Sequence, residues 1–107
     1  MVIIETSVFT RQVQKLLSDE EYRQLQIELT ARPDLGTVIQ GSGGLRKVRW
    51  RAKGRGKRGG SRVIYFWAVK DHQILMLLIY PKNVQDDLSR EQLSALRKVV
   101  EAEYHER

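Results

Sequence analysis

The 107-residue sequence contains no cysteine. That excludes disulfides, thiolate nucleophiles and zinc-ribbon sites, and it permits a reducing compartment. Histidine occurs only twice, as His72 in an expected turn and His105 near the end of the sequence. Neither belongs to a ligand-like cluster, so no metal site and no cofactor are expected. Long apolar runs are missing too. The longest, Ile74-Leu-Met-Leu-Leu-Ile79, is far short of the ~20 residues a membrane span needs and suits a buried strand. The opening Met-Val-Ile-Ile-Glu has no basic segment ahead of its apolar stretch, which is not the pattern of a secretory signal. A cytoplasmic protein without a membrane role is expected. Walker, serine-hydrolase and glycosidase patterns are all lacking.

One scarcity is local. Between Arg46 and Arg62 there is no acidic residue, while Arg46, Lys47, Arg49, Arg51, Lys53, Arg55, Lys57, Arg58 and Arg62 supply almost half of the 19 Lys and Arg. The net charge of +6 is therefore concentrated. A charge run is often only a solvated face. Here nothing offsets the mutual repulsion, and a polyanion such as RNA would relieve it. Gly54, Gly56, Gly59 and Gly60 within the same stretch would let backbone amides approach a phosphate.

The periodicity organises the chain as one domain, residues 1–107, since this length leaves little room for a second core. Met1–Glu5 reads as a short strand. Phe9, Val13, Leu16 and Leu17 mark one face of a helix. Ser18 with Glu21 forms a capping box for a second helix, with Tyr22, Leu25 and Leu29 on its apolar face and Arg32-Pro33 as its end. After a turn-rich connector at residues 34–44 the period changes to two. Arg46, Val48 and Trp50 then alternate with Lys47, Arg49 and Arg51. A glycine-rich basic loop leads to a strand at 62–69, and a short turn to another at 74–80. Short connections favour antiparallel neighbours. Ser89 with Gln92 opens the last helix, whose stripe is Leu93, Leu96, Val100 and Tyr104. Asp86 and Asp87 are expected to lead into it. The order is β-α-α-β-β-β-α.

On alternation, Arg62 shares a strand face with Ile64 and Phe66, whereas Val63, Tyr65 and Trp67 share the other. An arginine held beside packed residues makes a better phosphate clamp than one on a mobile loop. The alternative is an arginine whose stem covers apolar surface at a strand end.

Residues 34–49, from Asp34-Leu-Gly to Leu-Arg-Lys-Val-Arg49, resemble the HigB-type branch of the RelE toxin superfamily. So do Gly56-Lys-Arg-Gly-Gly-Ser-Arg-Val-Ile-Tyr65, Ile79-Tyr-Pro-Lys82 and Leu17-Ser-Asp-Glu-Glu-Tyr22, so that the similarity spans nearly the whole chain. The resemblance implies an α+β, RelE-like fold: a twisted antiparallel sheet with an N-terminal helical hairpin packed on it and a C-terminal helix. It also implies the toxin of a type II toxin–antitoxin pair, a metal-independent endoribonuclease that cuts messenger RNA in the ribosomal A site. The messenger's own 2′-hydroxyl would attack the neighbouring phosphate. The protein would orient the sugar, move protons and stabilise charge. Implied partners are the ribosome, messenger RNA and a cognate antitoxin, a helix-turn-helix protein encoded nearby, with operator DNA reached only through the antitoxin complex.

Carried over residue by residue, Arg62 matches the arginine implicated in phosphate stabilisation. Lys47 and Arg49 match the basic pair on the preceding strand, and Lys82 falls close to the basic residue after the last strand. The expected catalytic set is Arg62, Lys82, Tyr65 and Lys57. The expected RNA-binding set is Arg46, Lys47, Arg49, Arg51, Lys53, Arg55, Arg58 and Tyr80. There is one departure: RelE proteins carry a catalytic tyrosine where this chain has Asp86, Asp87, Leu88 and Ser89. Tyr65 and Tyr80 stand in for it, each also fit to be a core residue. Two alternatives stay open, a ParE-like inhibitor of DNA gyrase and a non-catalytic RNA- or ribosome-binding module.

Overall fold

Local signals start each helix, and two of them are the capping boxes read from the sequence. The Thr6 hydroxyl accepts from the Phe9 amide and begins α1 (Ser7–Leu16). Ser18 and Glu21 exchange bonds in a complete capping box that begins α2 (Asp19–Ala31). Ser89 and Gln92 do the same ahead of α3 (Arg90–Tyr104). Each box satisfies helix-end amides that would otherwise lack partners.

The computed structural model describes residues 1–51 and 60–104. Its five strands are β1 (Val2–Glu5), β2 (Thr37–Val38), β3 (Leu45–Trp50), β4 (Ser61–Ala68) and β5 (Gln73–Pro81), arranged in one sheet in the order β1-β5-β4-β3-β2. A short 3-10 turn at Val69–Asp71 with His72 in the left-handed region joins β4 to β5.

The expected antiparallel sheet needs one correction. β1 runs parallel to β5, with Val2 opposite Gln73 and Glu5 opposite Met76, so the sheet is mixed. Long connections make a parallel pair possible. The helical hairpin carries the chain away from β1 across one sheet face, and β5 returns only after the β3–β4 meander. The two-residue β2, antiparallel to β3, is also additional to the expected order. Both of its residues are exposed, so it carries no alternating pattern to find.

A core lies on each face. Phe9, Val13, Leu25 and Leu29 of the hairpin pack on Val48, Val63, Tyr65, Ile74, Met76 and Ile79. Behind the sheet, Val100 and Tyr104 of α3 pack on Leu45, Ile64, Ala68, Leu75, Leu77 and Tyr80. Fully burying a side chain such as Phe9 or Leu25 contributes about 1.5–3 kcal/mol. A register shift between Ile64 and Tyr65 breaks the alternation of β5. Leu77 and the adjacent Leu78 consequently both face α3, while Met76 and Ile79 face the hairpin. An extra residue of this kind bends the strand and re-aims the side chains beyond it, here Tyr80.

Candidate functional site

The face under α3 ends in a row of polar side chains. Across three neighbouring strands the register pairs Arg49 with Arg62 and Arg62 with Tyr80, so these residues project from the same side of the sheet. Directly opposed side chains of this kind have Cβ atoms about 5 Å apart. The next row pairs Lys47 with Ile64 and Ile64 with Leu78, which puts Lys47 beside Arg49 on that face. Arg62 shares its face with Ile64 and Phe66, as alternation predicts, and both pack in the α3 core.

Arg62 is only 3% exposed. Its Nε donates to Asp86 Oδ1 at 2.9 Å. Lys47 Nζ meets Asp87 Oδ1 at 2.6 Å, and the Tyr80 hydroxyl donates to the Asp86 carbonyl oxygen at 3.1 Å. Asp86 and Asp87 belong to the connector at 82–89 between β5 and α3. The Arg62 hydrogen bond holds the Asp86 carboxyl below its usual range, with Arg62, Lys47 and Arg49 charges adding to the effect. Burial pushes the Tyr80 hydroxyl up, and Asp87 and Asp86 reinforce it. A carboxylate that stays charged and a phenol that keeps its proton thus arise from one arrangement.

Of the expected site residues, the structure brings together Lys47, Arg49, Arg62 and Tyr80. Lys82 is exposed just beyond β5, with its backbone amide bonded to the Gly60 carbonyl. Arg51 is exposed past the end of β3 and lines a groove with Glu20, Glu21, Gln24 and Glu28 of α2, which Arg49 and Trp50 also border. Lys53, Arg55, Lys57 and Arg58 lie outside the described residues.

Tyr65 and Arg46 fall on the hairpin side. The Tyr65 side chain is completely buried; its hydroxyl accepts from the Gly36 amide at 2.8 Å and donates to the Pro33 carbonyl at 2.7 Å. Burial raises its pKa, against opposing contributions from the Gly36 bond and the Arg46 charge. Arg46 donates to the Gly36 carbonyl at 2.8 Å and lies 6.0 Å from the Trp67 ring. These two side chains therefore tie the 33–36 segment to the sheet, on the face opposite Arg62. Tyr65→Phe is expected to strand a buried amide and lower stability by about 1–3 kcal/mol. The check is the melting temperature, together with activity per folded molecule, which should not change.

Asp86 and Asp87 are the residues of this face that sequence reasoning placed elsewhere. Among the described residues no group of three or more His, Asp or Glu is arranged to hold a metal ion. No described helix is long and apolar enough to cross a membrane.

A sequence profile for the RelE toxin of the RelE/RelB toxin–antitoxin system matches residues 1–105. Among solved structures, the chain is similar to a chain of the intact E. coli RelBE toxin–antitoxin complex, with a TM-score of 0.59 and 14% identity over 75% of this chain and 94% of that one. It is equally similar to the isolated E. coli RelE toxin, at TM-score 0.59 and 14% identity, over 92% of this chain and 97% of that one. At this identity the structural likeness speaks for the fold.

Proposed function

Because the chain belongs to the RelE toxin family and is the toxin of a toxin–antitoxin pair, we propose that it arrests translation by cutting messenger RNA in the ribosomal A site. The observation that carries this reading is the Arg49–Arg62–Tyr80 row with Lys47 beside it, a cation-rich face mounted on a sheet rather than on loops. In the proposed reaction the 2′-hydroxyl gives up its proton to a basic group of the site or to water as its oxygen attacks the adjacent phosphorus. That gives a 2′,3′-cyclic phosphate and frees the next nucleotide's 5′-oxygen, which takes up a proton. Arg62 stabilises charge developing on the phosphoryl oxygens with a planar, two-pronged donor. Lys47 and Arg49 hold neighbouring phosphates. Tyr80, protonated and opposite Arg62 in the row, is the proposed proton donor to the leaving oxygen, and Lys82 and Lys57 are the further candidates for proton transfer. No metal enters the proposed scheme. A cognate antitoxin is the proposed neutralising partner.

The test is induction of the protein alone, followed by primer extension on messengers that are translated and on matched messengers lacking a start codon. Cuts are expected only on the translated set. Intact messengers during arrest would remove the nuclease reading, and a DNA-damage response would point to gyrase.

A further inference from the structure

A buried guanidinium needs an anion, because an unpaired charge out of water is strongly unfavourable. In this protein the anion facing Arg62 comes from the same chain. A single dipeptide, Asp86-Asp87, engages Arg62, Lys47 and Tyr80 at once, through the Asp86 carboxylate, the Asp87 carboxylate and the Asp86 carbonyl respectively. Two of these contacts are donor-to-carboxylate bonds of the kind that each group would make to a phosphate oxygen. The dipeptide's position is a surface connector, with the Asp86 side chain 48% exposed and the Asp87 side chain 80% exposed. Val84 in the same connector is 68% exposed. Residues 82–89 belong to no helix or strand; Lys82 anchors one end through its amide on the Gly60 carbonyl and Leu88 the other by packing against the α3-side core. Residues 83–87 between them are held by the Val84–Pro81 turn bond, by Gln85 against Gln92 and by the Asp86 and Asp87 contacts. Such a segment can open while the two cores stay packed.

We propose that Asp86 and Asp87 form an internal anionic latch, which occupies the site's cations and its tyrosine hydroxyl in the free protein and is displaced by an RNA phosphodiester. The proposal rests on the reading of this face as the RNA site. Closing the latch keeps Arg62 compensated when no RNA is present, and it restrains the protein from binding RNA indiscriminately. A free protein that is nine-tenths latched would show an apparent affinity about tenfold below that of its open form.

The experiment measures binding of a short fluorescent single-stranded RNA to the free protein at fixed ionic strength. Three proteins are compared: wild type, Asp86→Asn/Asp87→Asn, and the charge-matched control Glu101→Gln/Glu103→Gln on the exposed end of α3. Removing two negative charges anywhere strengthens RNA binding somewhat, so the comparison that counts is with the control. The latch predicts about tenfold tighter binding for the Asp variant than for the control. Equal affinity of the two overturns it. If the double variant does not fold, Asp87→Asn against Glu103→Gln decides the matter in the same way, because the Asp87 side chain is largely outside the protein. Ribosome-dependent cleavage by wild type is scored separately. Cleavage without the affinity gain removes the latch alone, whereas the gain without cleavage removes the nuclease reading and leaves a gated polyanion site.

Discussion

Arg62→Ala is expected to lower the rate of messenger cleavage on programmed ribosomes about a hundredfold, the effect of losing one preorganised donor worth ~3 kcal/mol. An arginine that meets charge developing on the phosphoryl oxygens acts mainly in the transition state, so turnover should fall far more than ribosome affinity. Lys47 and Arg49 remain to hold the backbone. Lysine at position 62 should rescue poorly, since an ammonium cannot reproduce the planar fork. The burial of Arg62 makes a stability control necessary, because alanine leaves a void under α3 and releases Asp86. Arg46→Ala supplies the contrast. It removes a cation from the opposite face, loosens the 33–36 segment, and should spare cleavage per folded molecule. The measurement is single-turnover cleavage, ribosome co-sedimentation and melting temperature on the same preparations. Cleavage by folded Arg62→Ala at near the wild-type rate would make Arg62 a structural residue and dismantle the assigned site.

The site was legible where it depends on local rules and illegible where it depends on distant contacts. Alternation alone put Arg62 on the face of Ile64 and Phe66, and both capping boxes could be read because they span three residues. The same alternation put Tyr65 on the other face, with Val63 and Trp67. Its role there was out of reach, because its partners Gly36 and Pro33 lie 29 and 32 residues away in sequence. Asp86 and Asp87 read as a helix approach for the same reason. Their contacts to Arg62 and Lys47 span 24 and 40 residues, and they depend on how the connector folds back over β3 and β4. The parallel β1–β5 pair and the irregularity beside Tyr65 are likewise products of tertiary packing. A strand's alternation carries no information about which strand lies next to it, or about a residue skipped in the partner.

The chain has acids where the family pattern has a phenol, and those acids bind the cations of the site. Tyr80 reaches the same neighbourhood from the end of β5 by way of the re-aimed strand. A phenol thus stands in the Arg62 row from a different element, and it is the proton donor of the proposed reaction.

Gly60→Ala is expected to produce the largest loss of stability of any single methyl addition to a described glycine. Gly60 sits immediately before β4 at φ +63°, where a side chain is strained, and an added Cβ would fall 2.3 Å from the Trp50 carbonyl oxygen and 3.1 Å from Arg51 Cα. Both obstacles are backbone atoms at the end of β3, so no rotamer change relieves the overlap. Either β3 moves away from β4 or Gly60 leaves its conformation. Each route disturbs the Trp50–Ser61 pair and the bond from the Lys82 amide to the Gly60 carbonyl. The left-handed backbone costs about 1–2 kcal/mol for alanine, and overpacking adds about 1–3 kcal/mol. A total near 3 kcal/mol corresponds to a fall in melting temperature on the order of 10–15 °C for a domain of this size. Gly41→Ala is the internal comparison: it has a similar φ of +73° with nothing within 4 Å of the added Cβ. It should therefore show the backbone cost alone, about 1–2 kcal/mol. Because Gly60 borders the Arg49–Arg62 pair, its folded fraction should also cleave messenger more slowly, whereas Gly41→Ala should not. Equal melting temperatures for the two variants would mean that the β3–β4 junction yields freely, and the close approach of Gly60 to Trp50 would then not constrain the site.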